Sequence, residues 1–187
     1  MRQLDLFPSP HPLTPPHSEE DVLNWPRLLR SRRVGVSTFF RLLKEHGTAK
    51  AALDALPEVA RAAGVDSYKI CPLPVVEQEL RAGRKAGATL VAFGSPAYPA
   101  ALAEIPDPPP LLWAVGDTAL LKRPQVAVVG ARNASSLGLR MARRLAAELG
   151  EKGQVVVSGL ARGIDTAAHQ ATLETGTVAV PASGADV

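Results

Sequence analysis

The sequence predicts an α/β fold, a parallel sheet preceded by a small helical region, on three observations. An apolar run at 125–129 (QVAVV) breaks at Gly130 into a polar loop, and a helical pattern follows. A second apolar run at 155–157 opens into Ser158, Gly159, Leu160, Ala161, Arg162 and Gly163 before another helical pattern begins. Upstream, between 21 and 64, apolar residues recur at helical spacing. Strands and helices alternating in this order form parallel sheets with right-handed crossovers. Both loops therefore leave the carboxyl ends of neighbouring strands, where open α/β sheets bind their ligands.

Composition narrows the class. With 187 residues the chain can hold one or two domains, and its 46 % hydrophobic content is that of an ordinary soluble protein rather than a disordered one. The net charge of +3 is compatible with a polyanionic partner. Between 22 and 64, Arg27, Arg30, Arg32, Arg33, Arg41, Lys44, Lys50 and Arg61 face only Glu45, Asp54 and Glu58, which fits a solvated helical surface and a binding face equally. A single cysteine, Cys71, excludes an internal disulfide and a structural zinc site, and reads as a small buried hydrophobe. No apolar run reaches the roughly 18 residues a membrane span needs. The N-terminus lacks the basic segment and apolar core of a secretory signal, so a cytoplasmic location is the simplest reading.

Residues 1–20 carry Pro8, Pro10, Pro12, Pro15 and Pro16 with almost no apolar periodicity, which predicts an extended tail. Within it, Gln3, Leu4, Asp5, Leu6 and Phe7 resemble the short peptide by which many bacterial proteins bind the replication sliding clamp. Such a peptide inserts Leu6 and Phe7 as anchors, with Gln3 hydrogen-bonding at the pocket edge. A five-residue match also arises by chance.

Residues 21–65 read as a helical domain. Leu23, Trp25, Leu28 and Leu29, then Phe39, Leu42 and Leu43, then Ala52, Leu53, Leu56, Val59 and Ala60 mark three amphipathic segments. Between the first two, Gly35 reads as a tight turn and Ser37 as a helix N-cap. This resembles the helix-hairpin-helix element, although the second hairpin glycine usual in DNA-binding examples is missing. Residues 66–187 read as the α/β domain. A helix at 75–86 and strands at 89–93 and 111–115 precede the run at 125, and their expected role is to extend its sheet. Pro108, Pro109 and Pro110 rule out regular structure between those strands.

The helix at 137–150 places Leu137, Met141, Leu145 and Leu149 on one face, with Gly150 as C-cap. Arg140, Arg143 and Arg144 lie off that stripe, and Arg144 can pair with Glu148, so they read as a solvated face or the extension of a nucleic-acid track. A third strand at 177–181 ends close to Val187. A doubly wound sheet needs further strands to cover both faces, so the expectation is a piece of a longer protein.

The loops limit the ligand. A P-loop requires Lys followed by Ser or Thr, and neither glycine loop supplies it. A dinucleotide site wants G-x-G-x-x-G after the first strand and an acidic residue at the end of the second. Here the first loop reads Gly130, Ala131, Arg132, Asn133, Ala134, Ser135 and the second strand ends in Ser158 and Gly159. Arg132 offers a guanidinium fork that matches phosphate and keeps its charge. Ser135, Ser136 and Ser158 add hydroxyls, and Gly130, Gly159 and Gly163 allow close approach of a backbone. Two adjacent phosphate loops favour a polymer over one small ligand.

Asp165 reads as the N-cap that orders the Gly163 turn, with His169 as its structural partner one turn on. Two ligands without a third make no metal site. No catalytic constellation is evident, and no catalytic residue is assigned.

Gly130-Ala131-Arg132 followed by Ser135, then Ser158-Gly159-Leu160-Ala161-Arg162-Gly163-Ile164-Asp165 and Ala168-His169, resemble the DNA-processing protein A (DprA/Smf) family. Tyr98-Pro99, Leu102, Asp107-Pro108-Pro109, Leu28 and Val34-Gly35-Val36 also match, so the resemblance covers about residues 21–187. It implies a sterile-alpha-motif-like helical domain followed by an extended Rossmann domain. It further implies a non-enzymatic protein that binds single-stranded DNA without a nucleotide cofactor, loads RecA recombinase during natural transformation, and forms a homodimer through the Rossmann domain. Carried onto this chain, Arg132 is the expected contact to the DNA backbone, with the 158–163 loop, including Ala161 and Arg162, beside it. Two departures stand out. Ala131 replaces a serine common in the family, and the family's Rossmann domain continues well past the position of Val187. The alternative is a Rossmann-scaffold enzyme acting on a nucleoside monophosphate or similar small phosphate ligand, for which Asp165 is the one candidate carboxylate.

Overall fold

The computed structural model describes residues 14–184. They fall into two compact units, residues 14–85 with 89–113 and residues 86–88 with 114–184. The clamp-like residues Gln3, Leu4, Leu6 and Phe7 lie outside the described residues.

In the first unit, helices α1 (Glu19–Leu29), α2 (Val36–His46) and α3 (Ala49–Ala62) bury the apolar residues that their spacing selects. Trp25, Leu28, Phe39, Leu42, Leu53 and Leu56 form one core. Trp25 meets Phe39 edge-on at 5.2 Å, and edge contacts continue through Phe40 and Phe93 to Tyr98. Such pairs each contribute roughly 0.5–1.5 kcal/mol beyond burial. A capping box starts α1: the Asp21 amide donates to Ser18 Oγ at 3.0 Å and the Asp21 carboxylate receives the Ser18 amide. The start of α2 differs from expectation. Its cap is Gly35, in extended conformation and without a side-chain bond, and Ser37 already lies inside the helix. The residue at positive φ in this hairpin is Arg33, at 64°.

Helix α4 (Leu73–Lys85), strand β1 (Thr89–Ala92), the short helix α5 (Ala100–Ala103) and strand β2 (Leu111–Ala114) complete this unit. β1 and β2 pair only with each other among the described residues. They do not extend the sheet that starts at Gln125, a correction to the sequence reading. Trp113 supplies the physical reason: its indole packs on Gly83 of α4, and its N–H donates to Glu79 Oε1 at 3.1 Å. Glu79 also takes both arms of the Arg30 guanidinium, at 2.7 and 2.9 Å, which holds its carboxyl below the usual range. Arg27 donates to the Cys71 carbonyl, Arg41 pairs with Glu45, and Lys50 with Glu20. Half of the eight basic groups of the helical region are thus engaged inside the unit. Cys71 is buried, and burial pushes its thiol up, as suits a packing residue.

The second unit is a β-α-β-α-β arrangement: β3 (Gln125–Ala127), α6 (Ser136–Glu151), β4 (Val155–Ser158), α7 (Ile164–Gln170) and β5 (Thr177–Ala179). The strands pair in parallel in the order β3-β4-β5, with Val126 opposite Val156 and Val157 opposite Val178. This is the parallel sheet that the alternating pattern predicts. Both helices pack on β4 and on each other, around Val128, Ala146, Val156 and Ala168.

The orientation of α6 is a second correction. Leu137, Met141 and Leu145 are 62, 59 and 51 % exposed, whereas Ala142, Ala146 and Gly150 are buried; of the expected stripe, Leu149 packs against the core. Small residues face inward because α6 lies close to its neighbours: a Cβ added at Gly150 would stand 2.2 Å from the Thr175 hydroxyl. Gly150 is therefore a contact residue, and the helix ends instead at Lys152, followed by Gly153 at φ 78°. Among the described residues no helix is long and apolar enough to cross a membrane.

Candidate functional site

The first loop, 130–135, runs from the end of β3 to α6, and the second, 159–163, from β4 to α7. Their strands are hydrogen-bonded neighbours, so the loops emerge side by side at the carboxyl edge of the sheet. They are also joined directly. The amide of Ile164 donates to the Ala131 carbonyl at 3.3 Å, and Gly163 lies so close that an added Cβ would be 2.3 Å from that oxygen and 2.6 Å from the carbonyl of Arg132. Gly163 has φ 91° and ψ −126°, a region essentially reserved for glycine. Gly130 serves a similar purpose, since a Cβ there would stand 2.7 Å from the Ile164 side chain. The space beside these two glycines is filled by the protein's own chain, where the sequence reading expected room for a ligand backbone.

Asp165 is the second residue of α7, not its cap; the cap position belongs to Gly163. Its Oδ2 accepts the amides of Gly159 at 3.2 Å and Ala161 at 3.4 Å. The Ala161 carbonyl in turn accepts the hydroxyl of Thr166 at 2.8 Å. The second loop is thereby tied from below at several points, with Leu160 at its apex, exposed and at φ 58°.

His169 is buried and does not hydrogen-bond to Asp165. Its Nδ1 lies 2.7 Å from Thr177 Oγ1, whose own hydroxyl donates to the Val156 carbonyl at 3.0 Å. Burial lowers the imidazole pKa below its ordinary value, against the opposing influence of Asp165 and the Ser158 backbone. Nε2 is buried without a hydrogen-bond partner among the described residues.

Ser158 is 3 % exposed, and its hydroxyl donates to the Val128 carbonyl at 2.6 Å. It clips the end of β4 to that of β3 and does not offer its hydroxyl to a ligand, contrary to the sequence reading. Ser135 is exposed and caps α6 by accepting the Gly138 amide at 3.1 Å. Arg132 and Arg162 are exposed, and neither has a carboxylate partner among the described residues. Metal-ligand clusters of three or more His, Cys, Asp or Glu are absent among the described residues.

A recess of about 400 Å³ opens between the first loop, α6 and α7. Ala134, Leu139, Gly163 and Ala167 form its apolar lining. Around them stand Arg132, Asn133, Arg143, Thr166 and Gln170, with no acidic side chain in the lining. The structure thus separates the three arginines of α6. Arg144 pairs with Glu148 at 2.8 Å, Arg140 lies outside the recess lining, and Arg143 shares the recess with Arg132. Arg143, Thr166 and Gln170 were not singled out as site residues by sequence. The available signal was a pair of i,i+4 relations, Leu139 with Arg143 and Thr166 with Gln170, on helices that each begin at one of the loops.

Comparison with known proteins divides the chain earlier than its packing does, placing 89–113 with the second segment. Residues 89–187 match the family model described as DNA recombination-mediator protein A, and residues 19–82 match a DprA-like N-terminal HHH domain. The chain is 50 % identical over 92 residues to DNA processing protein DprA of Streptococcus pneumoniae, covering 48 % of this chain and 32 % of that relative. It is 39 % identical over 102 residues to DNA processing protein DprA of Bacillus subtilis, covering 54 % of this chain and 34 % of the relative. The matched segments therefore span about a third of these relatives' length. The fold is similar to the X-ray structure of DNA processing protein A from Streptococcus pneumoniae, with a TM-score of 0.55 and 28 % identity over 89 % of this chain and 54 % of that one.

Proposed function

The chain belongs to the DNA recombination-mediator protein A family, and on that premise we propose that its second unit binds the backbone of single-stranded DNA at the paired loops 130–135 and 158–163. One observation carries the reading: Arg132 is an exposed guanidinium without a carboxylate partner among the described residues, on a loop held backbone to backbone against its neighbour at Gly163. A guanidinium fork carried on a tethered loop at a sheet's carboxyl edge suits a phosphate oxygen. Arg162 and the Ser135 hydroxyl stand on the same pair of loops and complete the cradle, while the amides of Gly159 and Ala161 are held by Asp165 and so fix the second loop in place. Phosphate contacts of this kind give affinity with little sequence discrimination and a strong salt dependence.

In the whole protein this binding serves recombination: the strand is presented to RecA recombinase during natural transformation, in the cytoplasm and by a homodimer. No cofactor takes part. The tail motif at Gln3, Leu4, Leu6 and Phe7 adds a sliding-clamp contact. Asp165 works as a tether for the second loop, and no catalytic step is assigned to it.

Fluorescence anisotropy with a labelled oligodeoxynucleotide, titrated over a range of salt, tests the reading. Affinity should fall with salt, and Arg132→Ala should weaken binding and reduce the magnitude of the log–log salt slope by about 0.7, the share of one phosphate on a single strand. A nucleotide-hydrolysis assay supplies the opposing outcome: turnover of a nucleoside monophosphate by wild type that Asp165→Ala abolishes would replace DNA binding with the enzymatic reading.

A further inference from the structure

The recess between α6 and α7 has a composition that a phosphate contact alone does not require. A phosphate is hydrated on all its free oxygens and gains nothing from an apolar floor, yet Ala134, Leu139 and the buried Ala167 provide one. Phosphate oxygens only accept, yet two of the polar groups around that floor, Asn133 and Gln170, are amides that both donate and accept. A nucleobase has the matching pair of properties: an apolar face, and an edge on which donors and acceptors alternate. The volume, about 400 Å³, lies in the range of small-ligand sites.

We propose that this recess is a nucleobase subsite. One base of the strand whose backbone Arg132 holds lies with its face on Ala134, Leu139 and Ala167, and its edge toward Gln170 and Arg143. Arg132 stands at the junction of the two contacts, since it belongs both to the loop pair and to the recess lining. Arg143 and Gln170 come from different helices, α6 and α7, and line the recess together with Leu139 and Ala167 of the same two helices. The inference rests on the single-stranded DNA reading and adds to it a place for a base beside the backbone contact.

The test compares two labelled strands of equal length and charge on the 187-residue chain, one bearing bases and one built from abasic deoxyribose phosphate. Wild type should bind the base-bearing strand about tenfold more tightly, the scale of removing on the order of 50 Å² of apolar base surface from water. In Arg143→Gln/Gln170→Ala, both strands lose the charge contribution of Arg143 equally, and the ratio between them should fall toward one. Both substituted positions are exposed, so folding is preserved and can be checked by thermal melting. Equal affinity of wild type for the two strands, or an undiminished ratio in the double variant, would overturn the base subsite while leaving backbone binding intact. Failure of wild type to bind either strand would remove the single-stranded DNA reading and this inference with it.

Discussion

Asp165 Oδ2 accepts the backbone amide of Gly159 at 3.2 Å from within the first turn of α7. The same oxygen receives the amide of Ala161, so one carboxylate straddles Leu160 and fixes it at the loop apex with φ 58°. A leucine in the left-handed region costs about 1–2 kcal/mol, and the tether is what sustains it. Asp165→Ala leaves two part-buried amides without their acceptor and should destabilise the protein by roughly 2–3 kcal/mol. Asp165→Asn, which retains an acceptor oxygen but not the charge, should cost about half as much. Denaturant unfolding gives the ranking, and faster hydrogen exchange at Gly159 and Ala161 in the alanine variant locates the effect.

His169 gives the fold a pH dependence whose sign follows from its burial. Its folded pKa lies below the usual value, so the unfolded chain takes up the proton first as pH falls. The contribution of the neutral imidazole is fully present above about pH 6.5, the ordinary histidine value. It is lost progressively as pH drops from there toward the folded pKa. His169→Gln should remove this component, so the difference in unfolding free energy between wild type and variant should shrink across that interval. A difference that stays constant with pH would show that the ring titrates alike in both states.

Much of this arrangement is legible in local sequence. The strand-loop-helix order of the second unit follows from short apolar runs ending at Gly130 and Gly159, and the helical core follows from residues such as Trp25, Phe39 and Leu53. What escapes is set by tertiary register. The Ser158 hydroxyl is consumed by the Val128 carbonyl, a partner fixed only when β3 and β4 align. The facing of α6 inverts the hydrophobic rule because close approach to α7 and β4 rewards Ala142, Ala146 and Gly150 over Leu137, Met141 and Leu145. Arg143 is indistinguishable from Arg140 and Arg144 along the chain; only the position of α7 assigns it to the recess with Arg132.

Gly83 illustrates a similar constraint in the first unit. Replacing a helical glycine by alanine ordinarily stabilises by roughly 1 kcal/mol. Here the new Cβ would stand 2.4 Å from the Trp113 ring, which is also held through its N–H by Glu79. Moving the indole breaks that hydrogen bond, so Gly83→Ala should be destabilising by roughly 1–3 kcal/mol, the usual range for overpacking. A shift in Trp113 fluorescence relative to wild type should accompany the loss. An increase in stability would mean that the ring relocates freely.

Gly163 couples the two loops most tightly, and its substitution separates geometry from charge. Gly163→Ala adds no charge and removes none, but its Cβ would sit 2.3 Å from the Ala131 carbonyl and 2.6 Å from that of Arg132, at a backbone conformation that alanine resists. Neither obstacle is a flexible side-chain end, so the loops must move apart or the helix start must rotate. Destabilisation of at least about 2 kcal/mol is expected, combining strain with the clash. If Arg132 acts through its fixed position, Gly163→Ala should lose oligonucleotide affinity to nearly the extent of Arg132→Ala, although every arginine remains. If net positive charge alone attracts the strand, the glycine variant should bind as wild type does under conditions where both are folded. Anisotropy titrations of the two variants beside wild type, at one salt concentration and with folding verified by circular dichroism, distinguish the cases.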